Sequence, residues 1–328
     1  MNAVTISAPR RFGWLLRREF WEHRTGLLYA PLAAGMLSLL LTAIGLATAF
    51  LLGRNTRGDV RVNDEFISIN GLDLAALASR MGPEDQRQLG EALNVTLLLA
   101  GYWPLLVMAF VVFFYCLGAL YDDRRDRSIL FWKSLPVSDL ATLGSKLATA
   151  LVVAPLLAVA ASALTVAGYM LVLMAAAAWA GGDPIALVWQ PAQPLALVGN
   201  LLLSLPGYAL WALPTAGWLL LCSAFARRAP FLWAVVVPVL GGALLSASGL
   251  AGLLGIGHRT LWLDGISRLL LGTIPGITEM YTPDQGEELF STASALAPLA
   301  EPALWIGALF GLVCLAGSWW LRRRSDDS

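Results

Sequence analysis

The chain has 328 residues, of which 58% are hydrophobic and 13% charged, with zero net charge and a mean hydropathy of +0.69. Soluble domains hold about 25% charged residues, so this composition excludes an ordinary water-soluble globule. The charge balance gives no bulk attraction to nucleic acid. What remains is an all-α, multi-pass membrane protein.

The N-terminal tail, residues 1–26, is not a signal peptide, because arginines recur through what should be its apolar stretch. Within it, "RRFGWLLRREFWEHR" predicts an amphipathic helix lying on the inner leaflet as an elbow before the first span. Phe12, Leu15, Leu16 and Phe20 fall on one side at helical spacing, while Arg17, Arg18 and Glu22 point elsewhere. Glu19 intrudes on the apolar side, and Trp14 and Trp21 do not join it. Such a helix is either a simple anchor or an elbow that moves with a partner.

The rest of the chain, residues 27–328, holds six segments apolar enough to cross a bilayer, which takes about 20 residues of helix. They are residues 27–52, 93–120, 147–180, 195–226, 231–257 and 302–321. Pro31, Pro104, Pro155, Pro206, Pro214 and Pro238 fall inside them, and packed membrane bundles tolerate such kinks. Gly307 and Gly311 form a G-x-x-x-G in the last span, read as a packing motif.

Outside loops are predicted at 53–92, 181–194 and 258–301. The first reads as two short amphipathic helices and the last as short helices returning to the membrane surface. Both are candidates for a lid or gate, with surface packing the simpler role.

With the N-terminus inside, 15 of the 22 Lys and Arg residues fall on the inner side. The positive-inside rule therefore predicts cytoplasmic termini and a cytoplasmic loop at 121–146, in a plasma (bacterial inner) membrane. Arg54, Arg57 and Arg61, at the outer end of the first span, run against the total. Every formal charge lies outside the six segments. Ion-coupled carriers keep charges within their spans, so this pattern argues against one.

Cys116, Cys222 and Cys314 lie in apolar stretches, which predicts no disulfide and no cysteine metal site. His23 and His258 stand alone at membrane edges and read as structural. No P-loop, H-E-x-x-H or G-x-S-x-G occurs, so no catalytic site, metal or cofactor is expected in this chain. An aspartyl-protease pairing of Asp122 with Asp183 fails because the topology puts them on opposite sides.

The loop "YDDRRDRSILFWKSLPVSD" departs from a plain connection. Asp123, Arg124, Arg125, Asp126 and Arg127 are spaced for local helical ion pairs. Phe131 and Trp132 then present apolar surface beyond the membrane edge. Pro136 ends that helix, and Ser138 with Asp139 can cap the next. The result is helix, turn, helix with aromatics and arginines, the residue types that contact cores favour. An interfacial helix with its aromatics in lipid is the plainer alternative.

This succession resembles the cytoplasmic coupling loop of ABC-2 type transporter permeases. Asp123 stands where that family often has Glu and Ser128 where it often has Thr, while Leu135, Pro136 and Ser138 fit directly. Arg127 departs from a frequent Gly. The amphipathic elbow and six-span plan extend the resemblance over essentially the whole chain.

The resemblance implies a six-helix subunit that pairs with a second permease copy or homologue. A separate cytoplasmic P-loop ATPase, carrying ATP and Mg, would dock on the loop, and the pair would export a substrate. The docking residues it implies are Asp123, Arg124, Arg125, Asp126, Arg127, Ser128, Phe131, Trp132 and Pro136. A non-transporting scaffold using the same loop, and a membrane enzyme acting on lipids, are the competing classes.

Overall fold

In the computed structural model the described residues are 7–53, 57–62, 65–70, 81–126, 138–253, 255, 257–275 and 296–324. Most form helices: α1 (Ala8–Glu22), α2 (Ala30–Gly53), α3 (Pro83–Gly118), α4 (Tyr121–Arg125), α5 (Asp139–Ala148) and α6 (Ala154–Trp179). After these come α7 (Pro194–Leu203), α8 (Leu205–Phe225), α9 (Val237–Ala247), α10 (Leu250–Leu253), α11 (Arg268–Leu271) and α12 (Pro302–Arg324). Six helical stretches are long and apolar enough to cross a membrane: Thr25–Leu52, Pro83–Arg125, Asp139–Trp179, Ile185–Leu203, Leu205–Phe225 and Pro302–Arg324. The chain is an integral, multi-pass membrane protein.

These six differ from the predicted set in two places. The stretch read as a fourth span is divided at Ser204, just before Pro206, although Ser204 keeps near-helical angles of φ −76° and ψ −13°. The fifth is shorter: Leu232–Ala247 measures about 24 Å as a helix, below a hydrocarbon core of about 30 Å. It breaks at Ser248–Gly249, where Gly249 takes φ +70°, and α10 extends it.

Proline places the local irregularities. Wide π turns at Thr25–Tyr29, Thr149–Val153 and Leu232–Val236 each end two residues before a proline, at Pro31, Pro155 and Pro238. Proline has no N–H, so the carbonyl four residues earlier loses its helical donor. The wide turn lets neighbouring donors reach one residue further. Ala154 N–H bonds Thr149 O, and Val237 N–H bonds Leu232 O. Ala234 O, the carbonyl that Pro238 deprives, accepts the Trp218 indole N–H at 3.0 Å.

Two compact units divide the chain. The first comprises Met1–Tyr29, Leu106–Leu157 and Leu202–Ser328, the second Ala30–Leu105 and Ala158–Leu201.

In the first unit α8 packs backbone-close on α12. A Cβ on Gly311 would lie 2.7 Å from the Leu213 carbonyl, and one on Gly217 would lie 2.5 Å from the Gly311 oxygen. Behind this contact Ala212, Ala216, Leu219, Leu220 and Cys222 are fully buried. Residues 260–271 fold back along α9, with Ile266 against Gly242 and the Trp262 indole donating to Ser246 Oγ at 3.0 Å. Of the last predicted outside loop this stretch is helical, while residues 276–295 lie outside the described residues.

Its Arg268 was read as a loop cation but is only 9% exposed. The guanidinium donates to Ala303 O and Leu304 O and stacks 4.1 Å from the Trp211 ring. Gly307 faces it, without a side chain in the way. So one glycine of G-x-x-x-G seats a helix and the other seats an arginine.

In the second unit α3 approaches α6 at Gly101, whose carbonyl accepts from buried Ser162 Oγ at 2.8 Å. The outside loop after α2 departs from the helical expectation. Residues β1 (Arg57–Val62) and β2 (Glu65–Asn70) pair antiparallel, with Val60 opposite Ile67. The alternating, β-branched run "FISIN" favours an extended chain over a helix. Residues 83–92 belong to α3 itself.

Candidate functional site

The apolar side of α1 packs against the first unit: Phe12 lies near Gly144 of α5, and Leu15, Leu16 and Phe20 are half-buried. Glu19, which breaks that apolar side in the sequence, is 1% exposed. Its carboxylate is answered from two other helices. Tyr115 of α3 donates its hydroxyl to Glu19 Oε2 at 2.8 Å, and Lys146 of α5 places Nζ 3.3 Å from Oε1. The His23 ring meets Tyr115 edge-on, with centroids 4.8 Å apart, and its Nδ1 donates to Glu19 O at 3.3 Å.

From Lys146 the ionic chain continues to the loop. Lys146 Nζ lies 3.4 Å from Asp123 Oδ2, and Arg322 Nη1 of α12 lies 3.7 Å from the same oxygen. Arg322 Nε then donates to Asp139 Oδ1 at 2.8 Å. Lys146 is 3% exposed and Arg322 7%. Three carboxylates and two cations thus form one row, buried at Glu19, Lys146 and Arg322 and part-exposed at Asp123 and Asp139, joining α1, α4, α5 and α12, with α3 contributing the tyrosine. A buried charge is tolerable only when it is paired, and Glu19, Lys146 and Arg322 each have an ion-pair partner.

A second clasp lies beside it. Arg124 donates to Leu120 O and, through Nη2, to Ser223 O and Ala226 O at the end of α8. Ser223 Oγ accepts from Leu120 N–H at 3.0 Å and Tyr121 N–H at 2.9 Å. Those two amides sit at the junction of α3 and α4, where helical partners run out. Ser138 caps α5, accepting from Ala141 N–H at 3.2 Å, which leaves Asp139 for Arg322.

The predicted docking residues therefore separate. Asp123 and Arg124 are engaged within the chain, whereas Arg125 and Asp126 are exposed at the end of α4. Arg127, Ser128, Phe131, Trp132 and Pro136 lie outside the described residues. On α1, Arg18 pairs with Glu22 at 3.3 Å and Arg17 is exposed. Sequence reading missed Glu19, Lys146 and Arg322 as a group. The signal for Glu19 was its place among Phe12, Leu15, Leu16 and Phe20; its partners carried none.

The second unit has its own concavity. The first turns of α3 and the Ile185–Trp189 turn border a cleft of about 520 Å³ that includes Gln86, Arg87, Asn94, Gln190 and Gln193. Glu84 and Glu91 hold Arg87 at 2.8 and 2.9 Å, and Asn94 Oδ1 accepts from Gln193 N–H at 2.8 Å. With its arginine neutralised, the lining offers carboxamides and suits neutral hydrogen-bonding groups.

Comparison with protein-family models, curated proteins and solved structures finds no match for this chain.

Proposed function

We propose that this chain is the membrane subunit of an ATP-driven exporter of the ABC-2 type, powered by a separate cytoplasmic P-loop ATPase and working beside a second permease copy or homologue. The observation that carries this reading is the ionic row from Glu19 to Asp139. Its central Asp123 stands at the base of the charged loop, and its other members belong to the N-terminal helix, the helix after the loop and the last helix. A push on the loop is then delivered to those helices together, as rigid-body movement requires. Outside this row at their ends, the predicted spans hold no charged residue, which fits an external motor.

In this reading both termini and the loop are cytoplasmic, in the plasma membrane, and ATP with Mg belongs to the partner. Docking falls to Arg125, Asp126 and the residues that follow, because Asp123 and Arg124 are occupied in holding the loop base. α1 then serves as the elbow through which the ATPase also acts.

The test is co-purification with a candidate cytoplasmic P-loop ATPase co-expressed with this chain. Charge reversal at Arg125 and Asp126, combined with Phe131→Ala and Trp132→Ala, is expected to abolish capture of the ATPase while leaving the chain folded. Undiminished capture overturns the docking assignment. ATPase activity of the reconstituted pair that no candidate substrate stimulates would favour a scaffold.

A further inference from the structure

α1 has a second face, opposite the one that packs. Arg10, Trp14, Arg17 and Trp21 recur at steps of four, three and four, and Arg24 follows three residues on. At 100° per residue the four positions within α1 share a wedge of about 60°, and Arg24 lies just past the helix end at Glu22. All five are exposed, with Trp14 at 72% and Trp21 at 53%. Arginine and tryptophan alternate along α1 from Arg10 to Trp21, a row of about 17 Å at 1.5 Å per residue.

No carboxylate among the described residues answers the charge on this stripe. Among the described residues neither Arg10 nor Arg17 has an ion-pair partner, and the Arg24 guanidinium lies 5.7 Å from the Trp21 ring. The two acids of α1 are committed elsewhere, Glu19 to the ionic row and Glu22 to Arg18. The stripe is cationic and aromatic with no carboxylate on it.

Its surroundings are fixed by covalent continuity. The first membrane-crossing stretch begins at Thr25, directly after Arg24, so the stripe's C-terminal end stands at the membrane boundary. Indole rings favour that boundary because one side meets hydrocarbon and the N–H meets water. Guanidinium forks match phosphate oxygens in paired hydrogen bonds, and anionic head groups attract each such cation near the surface. The apolar side, expected to enter lipid, is instead used against the protein, which leaves the arginine and tryptophan side for the membrane.

We propose that the exposed Arg10, Trp14, Arg17 and Trp21 stripe of α1, with Arg24 just beyond its end, is a binding surface for anionic phospholipid head groups. The arginines take phosphate oxygens and the two indoles lie between them at the acyl boundary. Glu19 leaves the same helix on the opposite side, so bound lipid holds α1 where Glu19 meets Tyr115 and Lys146. This inference rests on the geometry of α1 and its attachment to the first span, and it stands whether or not an ATPase docks on the loop.

Native mass spectrometry of the delipidated full chain, titrated separately with phosphatidylglycerol and phosphatidylcholine, tests it. The wild type is expected to retain phosphatidylglycerol selectively. Each of Arg10→Gln, Arg17→Gln and Arg24→Gln should weaken that retention about fivefold. Trp14→Ala with Trp21→Ala should weaken retention of both lipids, and the triple Arg→Lys variant should keep most of the selectivity. Unfolding in lipid-free detergent checks that these surface variants are folded.

Selectivity unchanged in the triple Arg→Gln variant overturns the proposal. An equal loss from Arg227→Gln with Arg228→Gln, exposed after α8, overturns it as well, because attraction would then be general. A triple variant that keeps lipid selectivity but no longer captures the ATPase would assign the stripe to a protein partner instead.

Discussion

Glu19 shows what one buried charge demands. Its carboxylate is held by a tyrosine hydroxyl and an ammonium, so removing it strands Lys146 with Asp123 alone. Breaking a buried pair in this way costs about 3–5 kcal/mol, and Glu19→Ala is expected to lower the unfolding midpoint in detergent accordingly. Tyr115→Phe removes one hydrogen bond to a charged acceptor and should cost about 1.5–3 kcal/mol. Because both changes act on the same carboxylate, the double variant should lose less than their sum. Additive losses would mean the two contacts are independent.

Glu19→Leu with Lys146→Met should recover much of the lost stability, since apolar replacement of a buried pair is often neutral or better. The same variant should depress partner-coupled ATPase activity if the row transmits movement. A second residue-scale expectation concerns Ala229, which takes φ +47° just before Pro230. A left-handed non-glycine residue costs about 1–2 kcal/mol, so Ala229→Gly should raise the unfolding midpoint. No change would show that the turn relaxes when the strain is removed.

At the scale of elements, the α8–α12 contact depends on missing side chains. Gly311→Leu would drive a side chain into the Leu213–Pro214 backbone, which lies too close to yield without moving a helix. Overpacking of this kind costs about 1–3 kcal/mol, and the variant should unfold earlier and shed α12 contacts in crosslinking. Gly307→Ala should act differently, displacing the Arg268 guanidinium from Ala303 O and Leu304 O and from the Trp211 ring. Intrinsic tryptophan emission should respond to Gly307→Ala, whereas a purely helix–helix role would leave Trp211 undisturbed.

The existence of the apolar helices was legible because about 20 hydrocarbon residues have few other fates. Their breaks were not. The helix continues through Pro238 partly because Trp218, twenty positions earlier, supplies the donor that Ala234 O lost. The same limit applied to "FISIN", whose short alternating run was read as helix and is half of a hairpin. Glu19 was visible as an anomaly, but Tyr115 and Lys146 lie too far along the chain for any local pattern to join them to it. Arg268 looked like a loop cation because its cover comes from α8 and α12.

For the whole molecule, the ionic row limits the possible topologies. Asp123, Asp139, Lys146 and Arg322 meet in space, so the base of the loop and the C-terminal end of α12 stand at one end of the first unit. Any assignment of sides must carry them together, along with Glu19 at the close of α1. By the positive-inside rule the cationic excess predicts that this end is cytoplasmic. Asp126→Cys offers a direct check, because residue 126 is exposed while Cys116, Cys222 and Cys314 are buried and free and should stay silent toward a membrane-impermeant maleimide. Labelling is expected only after the membrane is permeabilised, and the same holds for Arg323→Cys, exposed beside Arg322. Labelling of Asp126→Cys in intact cells would place the loop outside, beyond reach of a cytoplasmic ATPase. Labelling of one position without the other would break the ionic row itself, since Asp123 and Arg322 could not then meet.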